Sequence, residues 1–341
     1  MRRAAAVALV GTLALCGSVF TTAATTAAPA PRKYGVSVDK DITYRRVDGT
    51  ELRLDAYVPR TPGLKPAVIL LFGGGWVVGS RTLWKSFAEP LAENGFAAFA
   101  IDYRLAPVHP FPAAIDDTQA AIEWVRDHAA TFGVDPDRLA TLGGSAGGHL
   151  AALAGMRGSG PTDEGARVAA VVSWAGPMDL HLDEYPSAVS KAFIGAFLGC
   201  FLQPCDDAEV RDASPIFQVD PSDPPTLQIN GDRDQLVPVS QAERMKAALD
   251  QSHVANELVI VPGAGHDQKL APAVNDPSID FLRERLGGPT STDFPIATGT
   301  GGLLVPVVVL GLAAVLVGGA LVLAGRRGRR AHRRGGSPSA R

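Results

Sequence analysis

The chain has 341 residues, 46% hydrophobic and 20% charged, with 32 Lys and Arg against 35 Asp and Glu. That composition excludes a disordered or low-complexity chain and fits one large globular domain or two small ones. Nine of the arginines fall in the acid-free segments 1–30 and 326–341; the rest holds 23 basic and 35 acidic residues, a net charge of about −12 that argues against nucleic-acid binding.

In chain order, Met1, Arg2 and Arg3 precede an apolar run to about Phe20, the layout of a secretory signal. The Thr- and Ala-rich stretch that follows suits cleavage, so residues 1–30 are read as a signal peptide. Cys16 follows the large residue Leu15, which argues against lipid attachment there. Ile42–Val47 and Leu52–Val58 alternate as half-buried strands around a turn at Asp48 and Gly49. Ala67–Phe72 is a continuous apolar run of the kind a fully covered strand needs. From there strands at 97–101, 138–142, 168–174, 226–230 and 258–261 alternate with helices near 83–94, 113–132, 149–154, 239–251 and 276–286. This is the pattern of an α/β fold with a mostly parallel sheet and helices on both faces. The first two strands are expected as an antiparallel edge. Residues 179–212 fit neither period cleanly and read as a small cap inserted over the sheet.

The turn between the strand 138–142 and its helix is Gly143, Gly144, Ser145, Ala146, Gly147, Gly148. Its first five residues fit Gly-x-Ser-x-Gly, in which a strained backbone lifts a serine oxygen out of a strand-to-helix turn. Glycines two residues to either side remove the Cβ atoms that would collide there. Serine needs a base to become a nucleophile at neutral pH, and the base needs an acid to orient it. After the strand 226–230 two aspartates compete for that role; Asp234, deeper in the loop, is preferred over Asp232. Of the seven histidines, His266 follows a strand through a Gly-rich loop, and His149, on the helix after the turn, is assigned to structure. The order Ser145, Asp234, His266 is that of α/β-hydrolases. Gly73, Gly74 and Gly75 follow the strand at Ala67–Phe72; the N–H groups of Gly73 and Gly74, with that of Ala146, suit an oxyanion hole. Neither glycine run matches a phosphate or dinucleotide motif. Trp76 and Trp174, beside these loops, are candidate pocket residues. Cys200 and Cys205, left after removal of Cys16, fit a local disulfide in an exported domain or two free thiols.

Residues 287–302 form a Gly-, Pro-, Thr- and Ser-rich linker. Residues 303–324 carry no charge, and roughly 22 residues at about 1.5 Å each give about 33 Å, enough to cross a bilayer. Six arginines between Arg326 and Arg334 then place the tail 325–341 in the cytoplasm and the body outside. The partner expected from this stretch is therefore a membrane, through this helix. Nothing in the sequence sets the oligomeric state.

Residues 36–286 resemble the hormone-sensitive-lipase-like and feruloyl-esterase-like carboxylesterases among the α/β-hydrolases. The resemblance rests on the serine turn, the triad order, the stretch Asp102–Pro107 with His109–Ala113, Ser214–Ile216, and Pro224 with Pro225. Two positions depart: Phe72 stands where this group usually has His, and Val108 where Glu is common. The resemblance implies hydrolysis of a small-molecule or lipid ester through an acyl-enzyme, with no metal and no cofactor. An amide or peptide hydrolase with the same triad, or a catalytically silent surface binding module, are the other readings.

Overall fold

The computed structural model describes residues 34–266 and 271–287. Eight strands form one sheet in the order β1-β2-β4-β3-β5-β6-β7-β8. They are β1 (Val36–Val47), β2 (Thr50–Pro59), β3 (Lys65–Leu71), β4 (Ala97–Ile101), β5 (Val134–Gly144), β6 (Ala170–Trp174), β7 (Thr226–Gly231) and β8 (Asn256–Val261). β2 pairs antiparallel with β1 and β4, and all the other pairings are parallel. β3 and β4 are buried on both faces, which is why their sequences run apolar without alternation.

The helices are α1 (Lys85–Glu93), α2 (Ala113–Asp127), α3 (Ala129–Phe132), α4 (Ala146–Met156), α5 (Ala188–Phe197), α6 (Asp207–Asp212), α7 (Ser240–Gln251) and α8 (Ala271–Leu286). α1 and α8 cover one face of the sheet, where Arg283 donates to Asn94 at 3.3 Å; α2, α4 and α7 cover the other. The helix expected over 113–132 is two helices. The His128 ring hydrogen-bonds the Trp124 carbonyl at 2.8 Å and stacks on its indole, closing α2, and Gly133 in the left-handed region closes α3.

The segment between β6 and β7 is more regular than its sequence suggests. A 3₁₀ turn at Leu182–Glu184 is followed by α5 and α6. Each helix starts at a capping residue: Ser187 accepts from the N–H groups of Val189 and Ser190, and Asp206 from those of Ala208 and Glu209. Between the two helices Cys200 and Cys205 form a disulfide, with Cα atoms 5.0 Å apart.

One buried ion pair ties the antiparallel edge to the rest. Asp117 of α2 is fully buried; its carboxylate accepts from the Arg104 N–H at 2.9 Å, from Arg104 Nε at 2.8 Å and from Arg45 of β1 at 2.8 Å. Truncating it removes the buried carboxylate from Arg104, which keeps only the exposed Asp48 at 3.5 Å and the Ala113 carbonyl at 3.3 Å. Asp117→Ala is expected to cost about 3–5 kcal/mol of stability, read from the shift in urea midpoint at constant slope.

Among the described residues no helix is long and apolar enough to cross a membrane. The segments read as signal peptide (1–30), membrane helix (303–324) and basic tail (325–341), and all but the first residue of the linker, lie outside the described residues.

Candidate active site

The strand order decides which loops meet. β5 is central, with β3 on one side and β6, β7 and β8 on the other, so the loops at their C-terminal ends converge above one edge of the sheet. Ser145 follows β5, Asp234 follows β7, His266 follows β8, and the glycine run follows β3.

Ser145 has φ 56° and ψ −122°, a strained backbone for a residue with a side chain. Three restraints hold it there. Its N–H donates to the Trp174 carbonyl at 2.7 Å, and its own carbonyl accepts from His149 N–H at 2.9 Å, inside the first turn of α4. The third is steric: a Cβ on Gly147 would run into the carbonyls of Leu71 and Phe72. Only glycine lets α4 start this close to β3.

The imidazole of His266 joins the other two side chains. Its Nε2 lies 2.8 Å from Ser145 Oγ and its Nδ1 2.7 Å from Asp234 Oδ2. Because an ionised carboxylate only accepts, Nδ1 carries the proton and Nε2 is left to accept from the serine hydroxyl. Asp234 is buried, and its second oxygen accepts from the N–H groups of Leu236 and Val237 at 2.8 and 2.9 Å, which fixes the carboxylate plane. Asp232, its competitor in the sequence, instead accepts from Gly263 N–H at 2.6 Å and braces the neighbouring turn.

Gly73 lies against the serine, for a Cβ there would come within 3.2 Å of Ser145 Cβ and 2.8 Å of the Gly144 carbonyl oxygen. Gly74, at φ 125°, turns the run so that its carbonyl accepts from Val77 and Val78. Among the described residues no backbone carbonyl outside the helices and strands takes the N–H of Gly73, Gly74 or Ala146.

Phe72, the departure at the head of this run, has its own anchor. Its ring stacks on Tyr103 with centroids 4.1 Å apart, and the Tyr103 hydroxyl donates to the Phe72 carbonyl at 2.7 Å. Burial raises the Tyr103 pKa well above the ordinary phenol value, so the hydroxyl stays a donor. An apolar stack thus holds the loop here. Val108, the second departure, is 78% exposed.

Of the two tryptophans read from sequence as pocket residues, Trp76 is placed differently. Trp76 is only 2% exposed: its φ of 61° turns the indole inward, where it stacks on Phe197 and donates to His149 Nδ1 at 3.2 Å. It supports the loop from below and lines no open surface. Trp174 is half-buried, donates through its indole N–H to Ser278 of α8 at 2.9 Å, and packs on Trp84 and Phe87. Its carbonyl holds Ser145, and its ring lies beside the serine turn, 3.8 Å from where a Cβ on Gly144 would sit.

His149 is structural in a definable way. With Nδ1 accepting from Trp76, its Nε2 carries the proton and donates to the Ala213 carbonyl at 2.7 Å. Burial lowers its pKa to about 4 from 6.5. Between those values the unfolded chain binds the extra proton, so stability is full above pH 6.5 and declines as the pH falls toward 4, by roughly 3 kcal/mol. Urea midpoints across that range are expected to fall more steeply than those of His149→Gln.

Among the described residues no group of three or more His, Cys, Asp and Glu converges as a metal site requires. Two surface hollows, of about 290 Å³ beside Arg46 to Glu51 and about 410 Å³ around Arg157 to Arg167, contain none of the three site residues. They lie at the β1–β2 turn and beyond the end of α4, and the hydrogen-bond geometry at Ser145 is the stronger guide to the chemistry.

Residues 54–249 match the model of the BD-FAE family. The chain is 38% identical to Esterase LipC of Mycobacterium tuberculosis over 62% of its own length and 56% of the relative's. It is 31% identical to Esterase LipQ of the same organism over 74% and 64%. The chain therefore spans less than two thirds of either relative. Among solved structures it is similar to a truncated form of a carbohydrate esterase from gut microbiota, with TM-score 0.65 and 28% identity over 76% of this chain and 99% of that one. It is also similar to Thermogutta terrifontis esterase 2 phosphonylated by sarin, with TM-score 0.62 and 27% identity over 74% and 96%. The family match covers more than half of the chain, from the second strand past the aspartate loop, and the chain belongs to the BD-FAE family, within the α/β-hydrolase carboxylesterases.

Proposed function

We propose that this protein hydrolyses carboxylic esters through an acyl-enzyme on Ser145. The observation that carries the reading is the His266 imidazole, bonded at once to Ser145 Oγ and to the buried carboxylate of Asp234. In the acylation step Ser145 Oγ attacks the ester carbonyl while its proton passes to His266 Nε2, and the N–H groups of Gly73, Gly74 and Ala146 receive the developing oxyanion. The tetrahedral adduct collapses with loss of the alkoxide, which takes the proton from His266. Water repeats the sequence, and the carboxylic acid leaves with Ser145 restored. Asp234 holds the imidazole in its tautomer and stabilises the imidazolium. Esters are favoured over amides because the relatives named above are esterases. The test compares p-nitrophenyl esters with the matching p-nitroanilides on the full chain in mild detergent. Ester turnover exceeding anilide turnover is expected; the reverse order would make it an amide hydrolase.

The same reading places the catalytic body outside the cell, with segment 179–212 as a small cap over the site and residues 303–324 as a single membrane anchor. Support comes from the basic and apolar start of the sequence, the uncharged span followed by arginines, and a disulfide, which persists in oxidising compartments. Protease added to intact cells is expected to remove the body and leave a tail epitope protected. A body protected in intact cells contradicts the topology.

A further inference from the structure

Helix α5 connects the loops of the site. At one end the Ser190 hydroxyl donates to the Leu236 carbonyl at 2.7 Å, two residues beyond Asp234. At the other, Phe197 stacks on Trp76 at 4.5 Å between centroids, and its carbonyl accepts from Phe111 N–H at 2.7 Å. Between these fixed ends Phe193 rests on the glycine run. A Cβ on Gly75 would fall 2.5 Å from Phe193 Cγ and within 2.9 Å of both Cδ atoms, so the ring occupies the space a side chain there would need. Gly75 is two residues from Gly73, which lies against Ser145. Phe193 is half-buried, and Val189, one turn earlier on the same helix face, is 36% exposed.

The chemistry of the site assigns a direction to this ring. In the tetrahedral adduct the oxyanion faces the N–H groups of Gly73, Gly74 and Ala146 and the leaving oxygen faces His266, which protonates it. The remaining substituent is the acyl chain, whose path is taken by neither the N–H groups nor the histidine. We propose that Phe193 closes that path and limits the acyl group to a short chain, making it the residue that sets acyl specificity. This rests on the esterase reading above.

The test uses the full chain in mild detergent with Phe193→Ala and Phe193→Leu. kcat/KM is measured for p-nitrophenyl esters from acetyl to decanoyl, and for acetate esters of alcohols from ethanol to decanol. A second readout needs no turnover: the rate at which alkyl fluorophosphonates of increasing alkyl length modify Ser145, followed by intact mass. In that reaction an Oγ–P bond forms, fluoride leaves and the serine proton passes to His266.

The wild type is expected to favour acetyl to butyryl esters. Phe193→Ala should raise the octanoyl-to-acetyl ratio by about 50-fold, the effect of burying about three more methylenes, with Phe193→Leu between. The fluorophosphonate ratio should move the same way. Unchanged acyl ratios in both variants, or a shift confined to the alcohol series, would overturn the assignment. Labelling without ester turnover ends the esterase reading and leaves Phe193 to be judged on the labelling ratios. No labelling of Ser145 at any length overturns both.

Discussion

Ser145→Ala is expected to lower kcat for p-nitrophenyl acetate by roughly 10⁶-fold, the size seen when the nucleophile of a serine triad is removed. The size follows from the geometry. The elbow, with its strained backbone at φ 56°, presents the serine oxygen to His266 Nε2 at 2.8 Å. Alanine keeps the same backbone restraints, because the bonds to Trp174 and His149 use only main-chain atoms of residue 145. The variant should therefore fold with an unchanged melting temperature while the N–H donors of Gly73, Gly74 and Ala146 supply what rate remains. A loss under tenfold in kcat would show that another group attacks the ester.

Asp234→Asn is expected to reduce kcat by about 10⁴-fold with KM within a few-fold, the signature of an imidazole held in the wrong tautomer. Oδ1 of Asp234 accepts from two backbone N–H groups, so an asparagine in the same place keeps its carbonyl oxygen there and turns its NH₂ toward His266. The ring then has to accept at Nδ1 and carries its proton on Nε2, facing a serine hydroxyl that it can no longer deprotonate. Asp232→Asn is the matched control: that carboxylate faces the Gly263 N–H, away from the imidazole, and its loss should change kcat by less than about threefold, as expected of a residue whose partner is structural. Equal losses in the two variants, measured side by side with urea stability as a check on folding, would contradict the assignment of the acid.

The contrast between these two aspartates also shows what the sequence can carry. Alternation of apolar strands with helices from Ala67 onward, and the placement of Ser145, Asp234 and His266 just past strand ends, follow from periodicity and from the topology of parallel sheets. The direction a side chain takes from a loop does not. Trp76 sits next to the glycine run, but a left-handed backbone at that residue turns its indole into the core, and no pattern of neighbours encodes that sign. Segment 179–212 obscured its helices because its apolar residues have two functions: Phe197 packs inward on Trp76 while Phe193 covers Gly75. The signal was present in the spacing of Val189, Phe193 and Phe197 behind the capping Ser187, but it becomes legible only once Gly75 is seen to have room for a ring and not for a methyl. Phe72 teaches the same lesson. Its departure from the usual histidine is visible in sequence, whereas the Tyr103 stack that replaces it joins residues 31 positions apart.

The central claim is an acyl-enzyme on Ser145, and the most direct measurement is to trap it. The full chain is mixed with excess p-nitrophenyl acetate, quenched in acid within milliseconds, and mapped by peptide mass spectrometry. The account predicts a burst of nitrophenol stoichiometric with enzyme and one acetyl group on the peptide containing Ser145, both absent in Ser145→Ala. Ester turnover with the acetyl group on another residue, or turnover in Ser145→Ala within tenfold of the wild type, would contradict it.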